Sequence, residues 1–470
     1  MKIWRWLMLW IALPLSILIL PGGILVFAFF HKFYPSAPAA PFPQARDVIT
    51  AQQQDFDYFR NYFTLNQAYA PADREQAMRL LAAYRTRSGT LSSAEFDLAI
   101  SRMVALSDNG HSRVNPGPLS RRHDRIACRL YHFADGFYVV RARTACRDLL
   151  GAKVMAIDGS PVDEIADRMF SYVAGPRSHY DQFASVFFLE SPDLLHAAGL
   201  ADVADRVHLH VMLRDGIEKD VIAIAEPPDA NAPRVWSDRY LSPLRIDQEP
   251  TDWKPLLAAE SPLPPYLRNY DDPFQSAYWP DGRVYYIQFR SNDDEPGHSI
   301  GEFVSRVSRD IAKVRPRTIV LDLRLDQGGD FTKTASFMSG LTKTSDSIEH
   351  VYVLTSGWTF SAGDTSLALV RSHGGGKVTV IGEPVGDRLR IWAEGGDVVL
   401  PNSKLNIGFA TGLHDYTRSC WGEAGCFWTM YLYPVHVATL LPDIRVRYTF
   451  DDYVNLRDPV LDRALELARG

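Results

Sequence analysis

The stretch Val351–Asp364, VYVLTSGWTFSAGD, decides how this chain is read: an apolar strand runs into a turn, and Ser361 stands where a helix begins. The first N–H groups of a helix have no intrahelical partner and favour negative charge, so a hydroxyl held there lies beside a cradle for an oxyanion. Taken alone, Ser361-Ala-Gly-Asp364 has a plainer explanation, a helix N-cap followed three residues on by an acid. Its neighbours in the sequence decide between the two.

Outward from this stretch, strands and helices alternate. Val284–Phe289, Ile319–Leu323, Val351–Leu354 and Val378–Ile381 are short apolar runs, and between the first two lies a segment with Ile300, Phe303, Val304, Val307 and Ile311 on one helical face. Such βαβ repetition predicts an α/β domain with a buried sheet over residues 274–470. The second strand ends in Asp322-Leu-Arg-Leu-Asp-Gln-Gly-Gly-Asp330. A tight turn uses glycines too, but a double glycine also lets backbone N–H groups approach a substrate carbonyl with no Cβ in the way. Gly328 and Gly329, with the N–H of Ala362, are the candidate oxyanion donors.

Upstream, residues 47–120 read as a helical segment. Ser92 and Glu95 have capping-box spacing, and Phe96, Ala99, Ile100, Met103 and Val104 form one face. That helix stops at Ser107–Gly110, immediately before His111. Residues 121–228 alternate short β-like runs with turns around one helical insertion near 160–200, which predicts a mixed β module. Residues 229–273 are proline-rich with few periodic apolar positions and read as a linker or a wrapping segment.

Together these motifs resemble the C-terminal-processing (tail-specific) serine peptidases and the tricorn protease core. The residues that carry the resemblance are, in order, DLR-x-x-x-GG at 322–329, an apolar strand, T-x-SA-x-D at 359–364, V-x-GEP at 380–384 and Leu441-Pro-Asp-Ile444. Gly151-Ala-Lys-Val-Met-Ala-Ile-Asp-Gly-Ser-Pro-Val162 resembles the carboxylate-side half of a PDZ domain. The resemblance implies a crotonase-like βαβ sheet, a PDZ-like module and acyl-enzyme chemistry on Ser361; no cofactor is expected.

One departure changes the expected mechanism. Tail-specific members place the lysine of a Ser/Lys dyad in the turn after V-x-GEP, where this chain has Val385-Gly-Asp-Arg388. A guanidinium stays protonated and cannot act as a base. Tricorn-like members draw a histidine from an N-terminal helical segment, and Asp108-Asn-Gly-His-Ser112 resembles that motif, so His111 is the expected general base. The tricorn-type glutamate has no counterpart, because the aligned region reads Tyr433-Pro-Val-His436. Glu383, Asp387, Glu394 and Asp415 stay open as the acid that orients the imidazole. Asp387, after the glycine turn, and Asp415, in a His-Asp step, rank first.

From Trp6 to Phe30 runs an uncharged stretch of 25 residues, long enough to cross a bilayer, with Lys2 and Arg5 before it and His31 and Lys32 after it. Residues 1–33 are therefore expected to anchor a single-pass membrane protein, N-terminus cytoplasmic and bulk periplasmic or extracellular. A cleaved signal peptide is the rival, since small residues follow at Ala37, Ala39 and Ala40. Residues 34–46, YPSAPAAPFPQAR, read as a stiff spacer that lifts the body off the membrane. Cys128/Cys146 and Cys420/Cys426 form two local pairs that would close disulfides in an oxidising compartment, one of three possible connectivities. A metal site from His414, Cys420, Cys426 and His436 lacks paired Cys-x-x-Cys spacing, so none is expected.

A net charge of −6 with no basic block excludes a nucleic-acid partner on electrostatic grounds. The expectation is a membrane-anchored, exported serine endopeptidase acting on peptides or proteins. The rival class is a catalytically silent relative that binds or scaffolds at the cell envelope.

Overall fold

The computed structural model describes residues 23–114, 119, 121–233, 235–418 and 420–469. The sheet that carries Ser361 has six strands in the spatial order Phe274–Trp279, Val284–Phe289, Thr318–Asp322, His350–Thr355, Val378–Gly382 and Ile444–Arg445. The first pair is antiparallel and the others are parallel. Successive side chains point to opposite faces and both faces are covered, which explains why the strands Val284–Phe289, Thr318–Asp322 and His350–Thr355 are mostly apolar. Tyr285, Ile287, Ile319, Leu321, Val351 and Val353 pack with the helices Ile300–Val314 and Ala362–Gly374, while Tyr286, Val320, Tyr352 and Leu354 pack with Pro459–Arg469. Each fully buried aliphatic side chain contributes roughly 1.5–3 kcal/mol over an exposed one, so the sheet is a firm platform. Three loops leave the C-terminal ends of its adjacent parallel strands: the double-glycine loop, the Ser361 turn and the Glu383–Arg388 turn. In open parallel sheets that edge is where ligands bind.

A second sheet is antiparallel and ordered Arg125–Ile126, Glu218–Glu226, Arg206–Met212, Lys153–Ile157, Gly136–Ala142 and Cys128–Phe133. The helix Val162–Met169 packs on it through Val162, Ile165, Ala166 and Met169. Short helices at Arg177–Phe183, Ser185–Leu189 and Pro192–Ala197 make up the rest of the insertion. The proline-rich stretch wraps this module: Lys254–Pro255 pairs with Gly136–Ala142, and Tyr266 and Leu267 are buried in its core.

The helices Val48–Leu65, Pro71–Thr86 and Ser93–Ala105 form a third cluster, the last opened by the expected Ser92/Glu95 capping box. Their partner is remote in sequence. Phe59, Tyr62, Ile100 and Met103 share a core with Val398, Leu400, Leu405, Ile407 and Phe409 of the late hairpin Gly396–Val399/Asn406–Phe409. Arg113–Val114 then joins that hairpin as a third strand. This docking carries the residues around His111 to the edge of the six-stranded sheet.

The membrane expectation is corrected. Residues 1–22, most of the expected span, lie outside the described residues, and among the described residues no helix is long and apolar enough to cross a membrane. The described end of that stretch, helical over 23–33, touches the body at its last turn: Phe33 is fully buried, the rings of Phe29 and Phe33 lie 5.0–5.8 Å from those of Phe427 and Trp428, and Ile24, Leu25, Val26, Phe27 and Phe30 are exposed. Residues 34–46 lack regular structure, as their prolines require, but they run along the body instead of lifting it away. Tyr58 donates to the Pro38 carbonyl at 2.6 Å and Gln54 to that of Pro43 at 3.1 Å. Both local cysteine pairs are disulfides, Cys128–Cys146 and Cys420–Cys426, with Cα atoms 5.6 and 5.5 Å apart.

Candidate active site

The turn before Ser361 is stapled to the neighbouring strand's loop. Thr359 Oγ1 donates to the Leu323 carbonyl at 2.8 Å, Ser356 Oγ to that of Arg324 at 2.6 Å, and the Phe360 N–H to that of Asp326 at 2.9 Å. These bonds force Ser361 to φ 57°, ψ −116°, a region that costs a non-glycine residue on the order of 1–3 kcal/mol. The Asp364 carboxylate accepts the Ser361 N–H at 3.1 Å. Burial, then the charge of Asp387, pushes the Asp364 carboxyl well above the usual carboxylate range.

The double glycine lies directly against this turn. A Cβ on Gly328 would stand 2.6 Å from the Ser361 Cβ, and φ there is 106°. The two glycines differ in what their N–H groups do. That of Gly328 is bonded to Asp326 Oδ1 at 3.1 Å, whereas among the described residues those of Gly329 and Ala362 have no acceptor. Asp326 is itself clamped by Asn292 Nδ2, 2.8 Å from both carboxylate oxygens, and burial pushes its carboxyl up to about 7.

His111 arrives on a loop pinned at every step. Arg388 donates to the Asp108 carbonyl and Oδ1, both at 2.7 Å; Asn109 exchanges two 2.9 Å bonds with the backbone of Trp392; Ser112 Oγ receives Asn66 Nδ2 at 3.0 Å. The imidazole stacks on Phe360, ring centroids 4.5 Å apart, and its Nδ1 lies 3.5 Å from Asp387 Oδ2. Gly110 is needed for this approach, since a Cβ there would meet the Phe360 ring at 2.8 Å and Asp387 Oδ2 at 3.2 Å. Among the described residues neither ring nitrogen of His111 makes a hydrogen bond. Catalytic hydrogen bonds in unliganded sites are commonly long and tighten when substrate binds. The other face of Phe360 is covered by His179, 4.3 Å away, whose imidazole is pushed down to about 3 by burial and by the neighbouring Arg113 charge.

The four acid candidates now separate. Asp387 faces His111, with its side chain 1% exposed. Asp415 does not: it accepts from Thr417 N–H and Oγ1 at 2.9 and 2.6 Å and pairs with Arg390 at 3.2 Å. Glu394 is held by His414 at 2.9 Å and Tyr34 at 2.8 Å, and Glu383 by Gln182 at 3.0 Å. Sequence reasoning missed two roles. Phe360, an apolar residue inside a turn, separates two imidazoles, and Arg388 holds the His111 loop in place of being a failed lysine. The arginine of DLR is also explained, as a buried tie from Arg324 to Asp322 and Asp458 at 2.6–3.0 Å.

No protein-family profile and no curated protein matches the sequence. Among solved structures the chain is similar to mature CPAF in complex with lactacystin, at 12% identity over 90% of this chain and 98% of that one, TM-score 0.56. It is similar to mature CPAF at 12% identity over 90% and 97%, TM-score 0.54. A more distant likeness is to the photosystem II D1 C-terminal processing protease, at 12% identity over 84% and 93%, TM-score 0.38. At such identities the likeness is one of fold. The chain has a mixed α/β fold similar to that of mature CPAF.

Proposed function

We propose that this chain is a serine endopeptidase that cleaves peptides or proteins through an acyl-enzyme on Ser361. In this reading His111 removes the Ser361 proton and returns it to the leaving amine, and Asp387 holds the imidazole through Nδ1. Gly329 and Ala362 donate to the tetrahedral oxyanion. Gly328 is the weaker donor, because its N–H is already bonded to Asp326. The observation that carries the reading is the contact of His111 with Asp387 at 3.5 Å while the same ring lies on Phe360, next to a conformationally strained Ser361. Such strain collects at working nucleophiles. A PDZ-like role for residues 121–228 belongs to the same proposal: the strand Cys128–Phe133 is at an edge of its sheet and borders a cavity of about 560 Å³, which suits an added substrate strand.

Incubation of the full chain with unfolded casein tests the activity. Wild type is expected to fragment it and Ser361→Ala is not; equal fragmentation by both rejects the assignment. A second reading, a catalytically silent peptide-binding relative, is favoured by the bare ring nitrogens of His111. It predicts that casein is bound but uncut by wild type.

A further inference from the structure

The outer side of the double-glycine loop opens into a cleft of about 490 Å³ that the mechanism above does not use. Its charge is one-sided: Asp238, Asp271, Asp293 and Glu295 line it, against Arg290 and His298. The two terminal nitrogens of Arg290 donate to the carbonyls of Tyr266, Arg268, Asn269 and Asp272 at 2.5–3.1 Å, and its guanidinium lies over the Tyr270 ring. Asp271 pairs with Arg239 at 3.0 Å and Asp293 with Lys333 at 3.6 Å.

Asp238 differs from these acids. It is 4% exposed, on the turn Ser237–Leu241. Its Oδ2 accepts the Tyr270 hydroxyl and, at 3.2 Å, Gln327 Nε2, while its Oδ1 is buried and has no side-chain hydrogen-bond partner among the described residues; burial pushes the carboxyl up, against the Tyr270 hydroxyl and the backbone N–H of Arg239, which favour its charged form. Among the described residues no Lys, Arg or His forms an ion pair with it, and the cation whose charge acts on its carboxyl is Arg290 of the same cleft. A buried acceptor left unbonded is destabilising, more so when charged, and a donor cation in the cleft removes that cost.

We propose that this cleft receives a cationic side chain of the substrate, a lysine or arginine, with Asp238 as the specificity-determining residue that accepts the ammonium or guanidinium on Oδ1. The location rests on the peptidase reading, since Gly328 and Gly329 form one wall of the cleft; the chemistry rests on Asp238. Gln327 bonds Asp238 two residues before Gly329, so a filled pocket also steadies the proposed oxyanion donor.

Titration calorimetry of the full chain with benzamidine and with uncharged benzamide tests the pocket without catalysis. Benzamidine is expected to bind at least about 10-fold more tightly, and Asp238→Asn, its fold checked by thermal unfolding, to abolish the difference. Equal binding of the two probes by wild type, or a preference that survives in Asp238→Asn, overturns the proposal. A peptide series varied at one position then reads specificity: kcat/KM is expected at least about 10-fold higher for Lys and Arg than for norleucine, and the ratio to collapse in Asp238→Asn. Cleavage with no such preference overturns the pocket and leaves the peptidase reading standing. Benzamidine binding with no cleavage of any peptide supports the pocket and rejects the peptidase reading.

Discussion

Nδ1 of His111 lies 3.5 Å from Oδ2 of Asp387, and among the described residues neither atom has a hydrogen-bond partner. Two buried groups left facing each other in this way suit a pair that shares a proton when the imidazole becomes charged. Asp387→Asn keeps the shape and removes the charge, so turnover is expected to fall by about 10²–10⁴-fold. Asp415→Asn, which breaks contacts with Arg390 and Thr417 instead, is expected to stay within about threefold of wild type. Paired kcat/KM measurements check both.

Arg388 reaches from the turn that bears Asp387 to Asp108, three residues before His111. Its side chain is 43% exposed and that of Asp108 68%, so the pair adds at most about 1 kcal/mol to stability. Its effect is on position. Arg388→Ala is expected to lower turnover by about 10-fold with thermal unfolding nearly unchanged. Arg388→Lys restores neither the two-point grip nor a Ser/Lys dyad, because the side chain at 388 is directed to Asp108.

Gly328→Ala places a methyl group against the Ser361 Cβ at a φ of 106°. Loss of Ser361 reactivity by about 10²-fold or more is expected, together with about 1–3 kcal/mol of destabilisation. Gly216→Ala provides the comparison: φ is 85°, but nothing lies within 4 Å of the added carbon. It is expected to cost stability alone. Labelling rates set beside unfolding midpoints separate the two effects.

His123 is buried between Asp97 and Asp193, each 3.0 Å from one ring nitrogen. Burial alone pulls its pKa down, but the hydrogen bonds to Asp193 and Asp97 outweigh this and raise it to about 9. With a folded pKa above the unfolded value, the stabilisation is complete below about pH 6.5 and is lost as pH rises through about 9. It amounts to at most about 3 kcal/mol. Denaturant unfolding of wild type between pH 6 and 10 is expected to show this loss, and His123→Gln to flatten it.

Much of the architecture was legible because buried parallel strands are apolar on both faces: the runs around Tyr286, Val320 and Val353 announce themselves. The placement of Ser361, the double glycine and His111 at one edge of the sheet was legible through motifs whose glycines and turn residues have few alternatives. Which carboxylate faces His111 was not. Asp387 and Asp415 both follow β segments, and only the cross-strand pairing of Arg390 with Asp415 draws one of them away. Asp238 was hidden in a proline-rich stretch that reads as a linker, since a lone carboxylate carries no sign of its burial. Near the end of the expected anchor, hydropathy counts Phe29 and Phe33 as apolar but does not say that Phe427 and Trp428 receive them.

The central claim is that Ser361 is a nucleophile activated by His111. The most direct measurement is mass-spectrometric mapping of the adduct left by a fluorophosphonate probe on the folded chain between pH 6 and 9. The account predicts a single phosphonylated residue, Ser361, with labelling abolished in Ser361→Ala and slowed about 10³-fold in His111→Ala. Failure of folded wild type to label at any of these pH values, or an adduct at another serine, contradicts it.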